Sequence, residues 1–351
     1  MTFEEARAQF PVLERTAYLN AGTFGPLSHA TAAAVAQWQA RDLEHGRSGG
    51  AYFEEVLALR EVVRARLGAL VGVEPERVAL TASTTDGCNI VLAGLGLGPD
   101  DEIVTTSEEH FGLLGALHSS GTRIVVAEPA ADAILAAVTP RTRLLALSQV
   151  LWTTGRELPL ARLKAETGLP VLADGAQSVG AIPVDGSAFD FLTISGQKWL
   201  CGPDSTGALV VADSERLRVA RPSYLSKVDY EPDGRYTPKP GAARFDPNWI
   251  PAASLAGLLA ALDGAPEWRY ARAAATAGRL RLMLAGKAEV VAGGRTLVSF
   301  RHAGDAGETV ARLQEAGVVV REIPNTGLVR ASCGWWTSDG DLERLCEALR
   351  T

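Results

Sequence analysis

The sequence predicts an α/β protein, with a large domain on a mainly parallel sheet of seven strands and a smaller α+β domain after it. Three observations carry this. From about residue 55, short apolar runs alternate with stretches of helical period, the order that a sheet wrapped by helices requires. The 351 residues exceed what one compact core usually organises. A stretch near 220–250, with prolines at 222, 232, 238, 240 and 247, separates this alternation from a second, shorter one.

In order, "RVALTAS" (77–83) reads as a strand, "TTDGCNIVLAGLG" (84–96) as a helix and "DEIVTTS" (101–107) as the next strand. "HFGLLGALHSSG" is a helix, "RIVVAEP" and "RTRLLALSQV" are strands, "LARLKAETG" is a helix, and "PVLADGA" and "FDFLTISG" are strands. "TGALVVAD" is expected to close the sheet as an antiparallel partner, because the turn before it is too short for a helical crossover. The proline-rich stretch is expected to be functional or disordered. Residues 253–286 give one or two long helices. "RTLVSFRH", "GETVARLQEAG", "VVVREIPN", "LVRASCG" and "SDGDLERLCEALR" then alternate strand and helix. The expected divisions are an N-terminal segment 1–15 packing with the small domain, a large domain 16–250 and a small domain 251–351.

Composition excludes several classes. The net charge of −7 comes from 34 basic and 41 acidic residues with no basic block, which points away from nucleic acid and anionic membranes. The start "MTFEEARAQFPVLER" lacks the basic and apolar regions of a signal peptide, and no apolar run approaches membrane-spanning length. Cys88, Cys201, Cys333 and Cys346 lie far apart without a CxxC pair, so neither a disulfide framework nor a metal site is expected, and a reducing cytoplasm is.

The chemistry starts at "DFLTISGQKWLCGP" (190–203), where Lys198 stands among small, apolar and aromatic neighbours. Desolvation pushes such an amine toward its neutral, nucleophilic form, able to add to a carbonyl as a Schiff base. Taken alone, a lysine in a mixed stretch usually reaches solvent. Asp174 ends the strand "PVLAD", with Gln177 three residues on, and by itself "ADGA" would be a helix or turn cap. Lys198 and Asp174 together, 24 residues and one crossover apart, change the balance. An amine and a carboxylate at one crevice are what pyridoxal phosphate needs: the lysine holds it covalently and the aspartate keeps its ring nitrogen protonated.

Its phosphate would be anchored at Ser83, Thr84 and Thr85, where a polar turn opens a helix, with Ser195 and Gln197 flanking the lysine. His110 or Phe111 in "SEEHFG" could lay a flat ring on the cofactor, with Glu108 and Glu109 at the helix start. Thr153 and Thr154 in "QVLWTTG" could bond the ring or the substrate. Arg330 in "GLVRASCGWW" could clamp a carboxylate with two parallel bonds. "GLGLGPDDE" misses the dinucleotide fingerprint, and no Walker loop, HExxH or GxSxG occurs.

With these residues in this order, the chain resembles the class V aminotransferase-like family of fold type I pyridoxal-phosphate enzymes, from "YLNAGTFGPL" to "DLERLCEAL". "DGAQSVGAIPVD" followed by "FLTISGQKWLCGP" is the specific signature. Within that family it is most similar to the cysteine/cystine carbon–sulfur lyases, in "TASTTDGCNIVLAGL", "SQVLWTTGRELPL" and "VRASCGWWTSDGDL". The resemblance implies Lys198 as the cofactor's lysine, Asp174 at the ring nitrogen, Gln177 near the ring hydroxyl and His110 stacked on the ring. It also implies Thr84, Thr85, Ser195 and Gln197 at the phosphate, Arg330 on the substrate carboxylate and Asn20 at the substrate mouth. A homodimer is implied, with Asn248 in "FDPNWIPAAS" reaching the neighbouring phosphate.

Two departures stand out. Many relatives carry histidine before the lysine, and here it is Gln197. Desulfurases and selenocysteine lyases of the family accept the chalcogen on a cysteine in a loop before the arginine, and "VVVREIPNTGLVR" has none. The expected activity is β-elimination from cysteine, cystine or a cysteine S-conjugate. Transamination and epimerisation are the alternatives within the family, and a binding protein without turnover is the alternative outside it.

Overall fold

The structure, a computed structural model, describes residues 1–291 and 293–350. Helix α1 (Phe3–Arg7) starts on a capping box between Thr2 and Glu5, and a short strand β1 (Ala17–Tyr18) follows. Two long helices that the sequence pattern did not resolve come next: α2 (His29–His45), capped by Ser28, and α3 (Gly49–Leu70). Their apolar stripes are weak, which is why periodicity passes them over.

The large unit then alternates β2 (Val78–Thr81), α4 (Thr84–Leu95), β3 (Glu102–Thr106), α5 (Phe111–Ser119), β4 (Arg123–Ala127), α6 (Ala131–Ala136), β5 (Thr142–Ser148), α7 (Leu160–Thr167), β6 (Val171–Asp174), β7 (Phe191–Ser195) and β8 (Gly207–Val211). These strands form one seven-stranded sheet in the order β2-β8-β7-β6-β5-β3-β4. The run β7-β6-β5-β3-β4 is parallel, and β8 is antiparallel to both its neighbours. So β8 does not close an edge as expected but lies inside the sheet, with β2 beyond it. Its five residues are all buried, as a strand covered on both faces requires. Successive residues feed two cores: Leu145, Leu147 and Ala173 face one, Leu144, Ala146 and Leu172 the other.

The proline-rich stretch is ordered. It forms a hairpin of β9 (Lys227–Tyr230) and β10 (Tyr236–Pro238), then a 3₁₀ turn over Gly241–Phe245. Asp246 pins its end in the interior, accepting from Arg60 at 2.8 Å, from Arg64 at 2.8 and 3.2 Å and from the Leu80 amide at 2.9 Å.

Helices α8 (Ala252–Asp263) and α9 (Arg269–Leu284) lead into the second unit. There β11 (Glu289–Val290), β12 (Leu297–Arg301), β14 (Arg321–Ile323) and β15 (Leu328–Ser332) make an antiparallel sheet in the order β11-β12-β15-β14. Helices α10 (Ala306–Glu315) and α11 (Asp339–Ala348) pack with it, and β13 (Val318–Val319) pairs in parallel with β1. The N-terminal segment lies against this unit too: Arg7 bonds Asp341 at 2.7 and 3.1 Å, and Phe10 meets the rings of Trp335 and Trp336. From β1 the chain crosses to the large sheet. Ser332 N donates to Leu19 O at 2.7 Å at one end, and Gly25 N donates to Gln197 O at 2.8 Å at the other.

Candidate active site

The parallel register lines up Ser148 at the end of β5, Asp174 at the end of β6 and Thr193 in β7, two residues before its end. Crevices beyond such carboxyl ends are where open α/β sheets bind ligands. A cleft of about 230 Å³ lies there, lined by Ser83, Thr84, Thr85, His110, Gln177, Ser195, Gln197 and Lys198. Gly22, Thr23 and Phe24 of the crossing segment complete it with Trp152 and Arg321. A separate apolar cavity of about 150 Å³, lined by Phe10, Trp199, Leu200, Cys201 and Trp335 among others, lies behind the lysine turn; the polar groups gather in the first.

Lys198 follows β7 in a tight turn, where Cys201 N donates to Lys198 O at 3.0 Å. Burial lowers its ammonium from the usual lysine range to about 8; Asp174 opposes the shift, while Arg330 and Arg321 add to it. Asp174 is buried. Its Oδ1 accepts from Ala176 N at 2.9 Å and Thr193 Oγ1 at 3.3 Å, and among the described residues its Oδ2 takes no hydrogen bond. Gln177 is held at both ends, accepting from Trp199 Nε1 at 3.0 Å and donating to Gly22 O at 2.8 Å.

His110 caps α5. Its Nδ1 accepts from Gly112 N at 3.0 Å, and burial, followed by the charge of Lys198, lowers its pKa. Trp152 stands edge-on to it at 4.9 Å and 87°. Phe111, the other ring considered, is 79% exposed. A side chain at Gly112 would meet Thr85 Oγ1 at 2.5 Å, so glycine lets the starts of α4 and α5 approach.

This donor set fits pyridoxal phosphate. The first-turn amides of α4 lack intrahelical partners and stand with the Thr84 and Thr85 hydroxyls at a positive helix end. The flat His110 ring, the Asp174 oxygen that takes no hydrogen bond among the described residues and an amine with a lowered pKa complete the set.

Other expected residues lie elsewhere. Thr153 and Thr154 are outside the cleft lining and turn to Glu108, Thr154 at 3.5 Å. Asn20 Oδ1 accepts from Thr23 Oγ1 at 2.9 Å, one step behind the mouth. Asn248 is exposed on the far loop beside Trp249 and is not part of this chain's own cleft. Arg330 is fully buried behind Gly22. Its Nη1 donates to Trp152 O at 2.7 Å, while among the described residues its Nε and Nη2 have no partner.

Sequence reasoning missed Arg321 and Trp152. Arg321 pairs in register with Arg330 across β14 and β15, donates to Thr23 Oγ1 at 3.0 Å and lies 5.6 Å from the centre of the Trp152 ring. Like charges directly opposite on one sheet face repel. Burial and Arg321 together lower the Arg330 pKa to about 9. The pair is an incomplete site that calls for anions.

No helix among the described residues is long and apolar enough to cross a membrane, and no group of three acidic, histidine or cysteine side chains there is placed to hold a metal. All four cysteines are free and buried.

A family model described as aminotransferase class-V matches residues 20–339. Isopenicillin N epimerase of Streptomyces clavuligerus is 28% identical over 390 residues, covering 99% of this chain and 97% of that protein. A cysteine desulfurase of Klebsiella pneumoniae is 33% identical over 254 residues, 63% of this chain and 61% of that one. Among solved structures, a mutant of C-DES with glycine covalently linked to its PLP cofactor superposes with a TM-score of 0.91 at 28% identity, covering 98% of both chains. The cystine C-S lyase C-DES with its reaction product cysteine persulfide gives 0.90 at 28%, covering 97% of this chain and 99% of that one.

Proposed function

The chain belongs to the aminotransferase class-V family, and from that premise we propose that it cleaves a carbon–sulfur bond of cystine by β-elimination, releasing pyruvate, ammonia and a persulfide. It is an enzyme of this family with pyridoxal 5'-phosphate as cofactor. Lys198 would hold the cofactor covalently, the α4 turn its phosphate, His110 one ring face and Asp174 the ring nitrogen. Bound there, the cofactor supplies an electron sink for the charge left when the substrate's α-proton is removed.

The single observation that favours cystine is the cross-strand pair of Arg321, which lines the cleft, and Arg330, buried just behind Gly22 of its lining. Arg330, whose Nε and Nη2 have no partner among the described residues, would take the carboxylate beside the reacting carbon. Arg321 would take a second carboxylate, which cystine has and cysteine lacks. Lys198 would take the α-proton, and its lowered pKa leaves a minor but usable fraction of it neutral near physiological pH. Below about 8, turnover should rise nearly tenfold per pH unit as the ammonium gives up its proton, and level off above, as a pH series of kcat will read.

The sulfur has no acceptor on this chain. Cys88, Cys201, Cys333 and Cys346 are buried, and burial pushes each thiol's pKa up, Cys333 to about 12. The departing group therefore leaves as a small persulfide. Epimerisation is the second reading, favoured by the near full-length similarity to an epimerase. It begins with the same proton removal and returns the proton to the other face.

The test supplies cystine to the holoenzyme, follows pyruvate by a coupled assay and resolves the remaining amino acid on a chiral column. Pyruvate supports elimination; a D-enantiomer without pyruvate replaces it by epimerisation. Arg321→Ala should raise KM for cystine by roughly 10–100-fold, the worth of a charged hydrogen bond, and leave KM for cysteine nearly unchanged. An equal effect on both substrates would remove Arg321 from the second carboxylate.

A further inference from the structure

Glu109 is a buried acid beside the cleft that the chemistry above does not use. It stands between the end of β3 and His110 with its side chain turned inward. Thr106 Oγ1 donates to it at 2.9 Å, the Ser148 amide reaches its two oxygens at 3.1 and 3.0 Å, and Ser148 Oγ donates as well. Ser148 is in register with Asp174. The same carboxyl is thus one residue from the His110 ring that lines the cleft and one strand from Asp174.

The titratable groups facing it are Asp174 and the Cys88 thiol of α4, which bonds Thr193. Among the described residues no basic side chain forms an ion pair with it. Burial, the larger cause, and the charge of Asp174 raise its pKa to about 7, against the pull of the Ser148 and Thr106 donors.

We propose that Glu109 is a positioning residue acting on the cofactor through Asp174: when ionised, its charge strengthens Asp174's hold on the ring-nitrogen proton. This rests on the cofactor site described above. A second negative charge behind Asp174 favours a proton in front of it. The contribution is present above about 7, where Glu109 is ionised, and is lost as pH falls below that value.

Glu109→Gln separates charge from shape, because the amide oxygen still accepts from the Ser148 amide. The experiment is nitrogen NMR of the resting holoenzyme reconstituted with cofactor labelled at the ring nitrogen. On the alkaline side of about 7, where Glu109 is ionised, the E109Q signal should move toward unprotonated pyridine, and kcat should fall severalfold with it. On the acid side the two proteins should converge. Glu109→Asp, which keeps the charge, should restore the wild-type signal, which a purely structural role would not do. Coincident signals for E109Q and wild type across the range overturn the inference. A wild-type protein that retains no label overturns the cofactor site itself, and a labelled one with an altered E109Q signal but no pyruvate from cystine leaves Glu109 in place and removes only the proposed reaction.

Discussion

Lys198→Ala will slow cystine cleavage by at least about 10²–10⁴-fold, the usual worth of a positioned general base, and will retain no cofactor on the chain after borohydride reduction. Both losses have one source. The amine stands on a turn held by Cys201 N and by Gly25 N on Gln197 O, in surroundings that bring its pKa down to about 8. No other lysine lines the cleft among the described residues, so no second amine takes over. The measurement is mass spectrometry of the reduced protein alongside the pyruvate assay. Wild-type rates in the variant, or an adduct of unchanged mass, would remove Lys198 from both roles.

Asp246→Ala will cost about 3–5 kcal/mol of stability, the usual result of stranding buried charges. The carboxylate is fully buried and serves Arg60, Arg64 and the Leu80 amide together, joining α3, β2 and the end of the proline-rich stretch. Its removal leaves two guanidinium groups inside, one of which already has an unpaired Nη1 on Arg60. Urea unfolding should show an earlier midpoint with this stretch released first to limited proteolysis. A loss under about 1 kcal/mol would show that the arginines find other acceptors.

The parts of the site carried by short, local features were legible in the chain. Lys198 and Asp174 end apolar runs, and the Ser83–Thr85 turn opens a helix, so strand and helix grammar places all of them at one crevice. Arg321 was not, because its place depends on strand register in the other sheet. The signal was present: with "EIPNTGLV" read as a tight hairpin, Arg321 and Arg330 fall opposite each other, and two opposed arginines are a poor structural choice. Thr153 and Thr154 show the opposite failure, polar residues at a strand end that turn to Glu108 instead of the cleft. The interior place of β8 was also missed, since hairpin logic gives its antiparallel sense but not the strand on its far side. Burial of Asp246 could not be seen locally, as its partners lie more than 160 residues away.

The crossing segment has a consequence for how the protein is made. Strand β1 finds its partner at Val318–Val319 and Asn20 bridges to Ser332, so roughly 300 residues must emerge from the ribosome before the first strand can pair. The seven-stranded sheet, complete by Val211, is available long before that. A nascent chain therefore passes through an interval with its lysine turn built and the apolar Ala17 and Leu19 still unsheltered. Chaperone dependence during synthesis should concentrate in that interval, and loss of β13 should leave β1 loose as well.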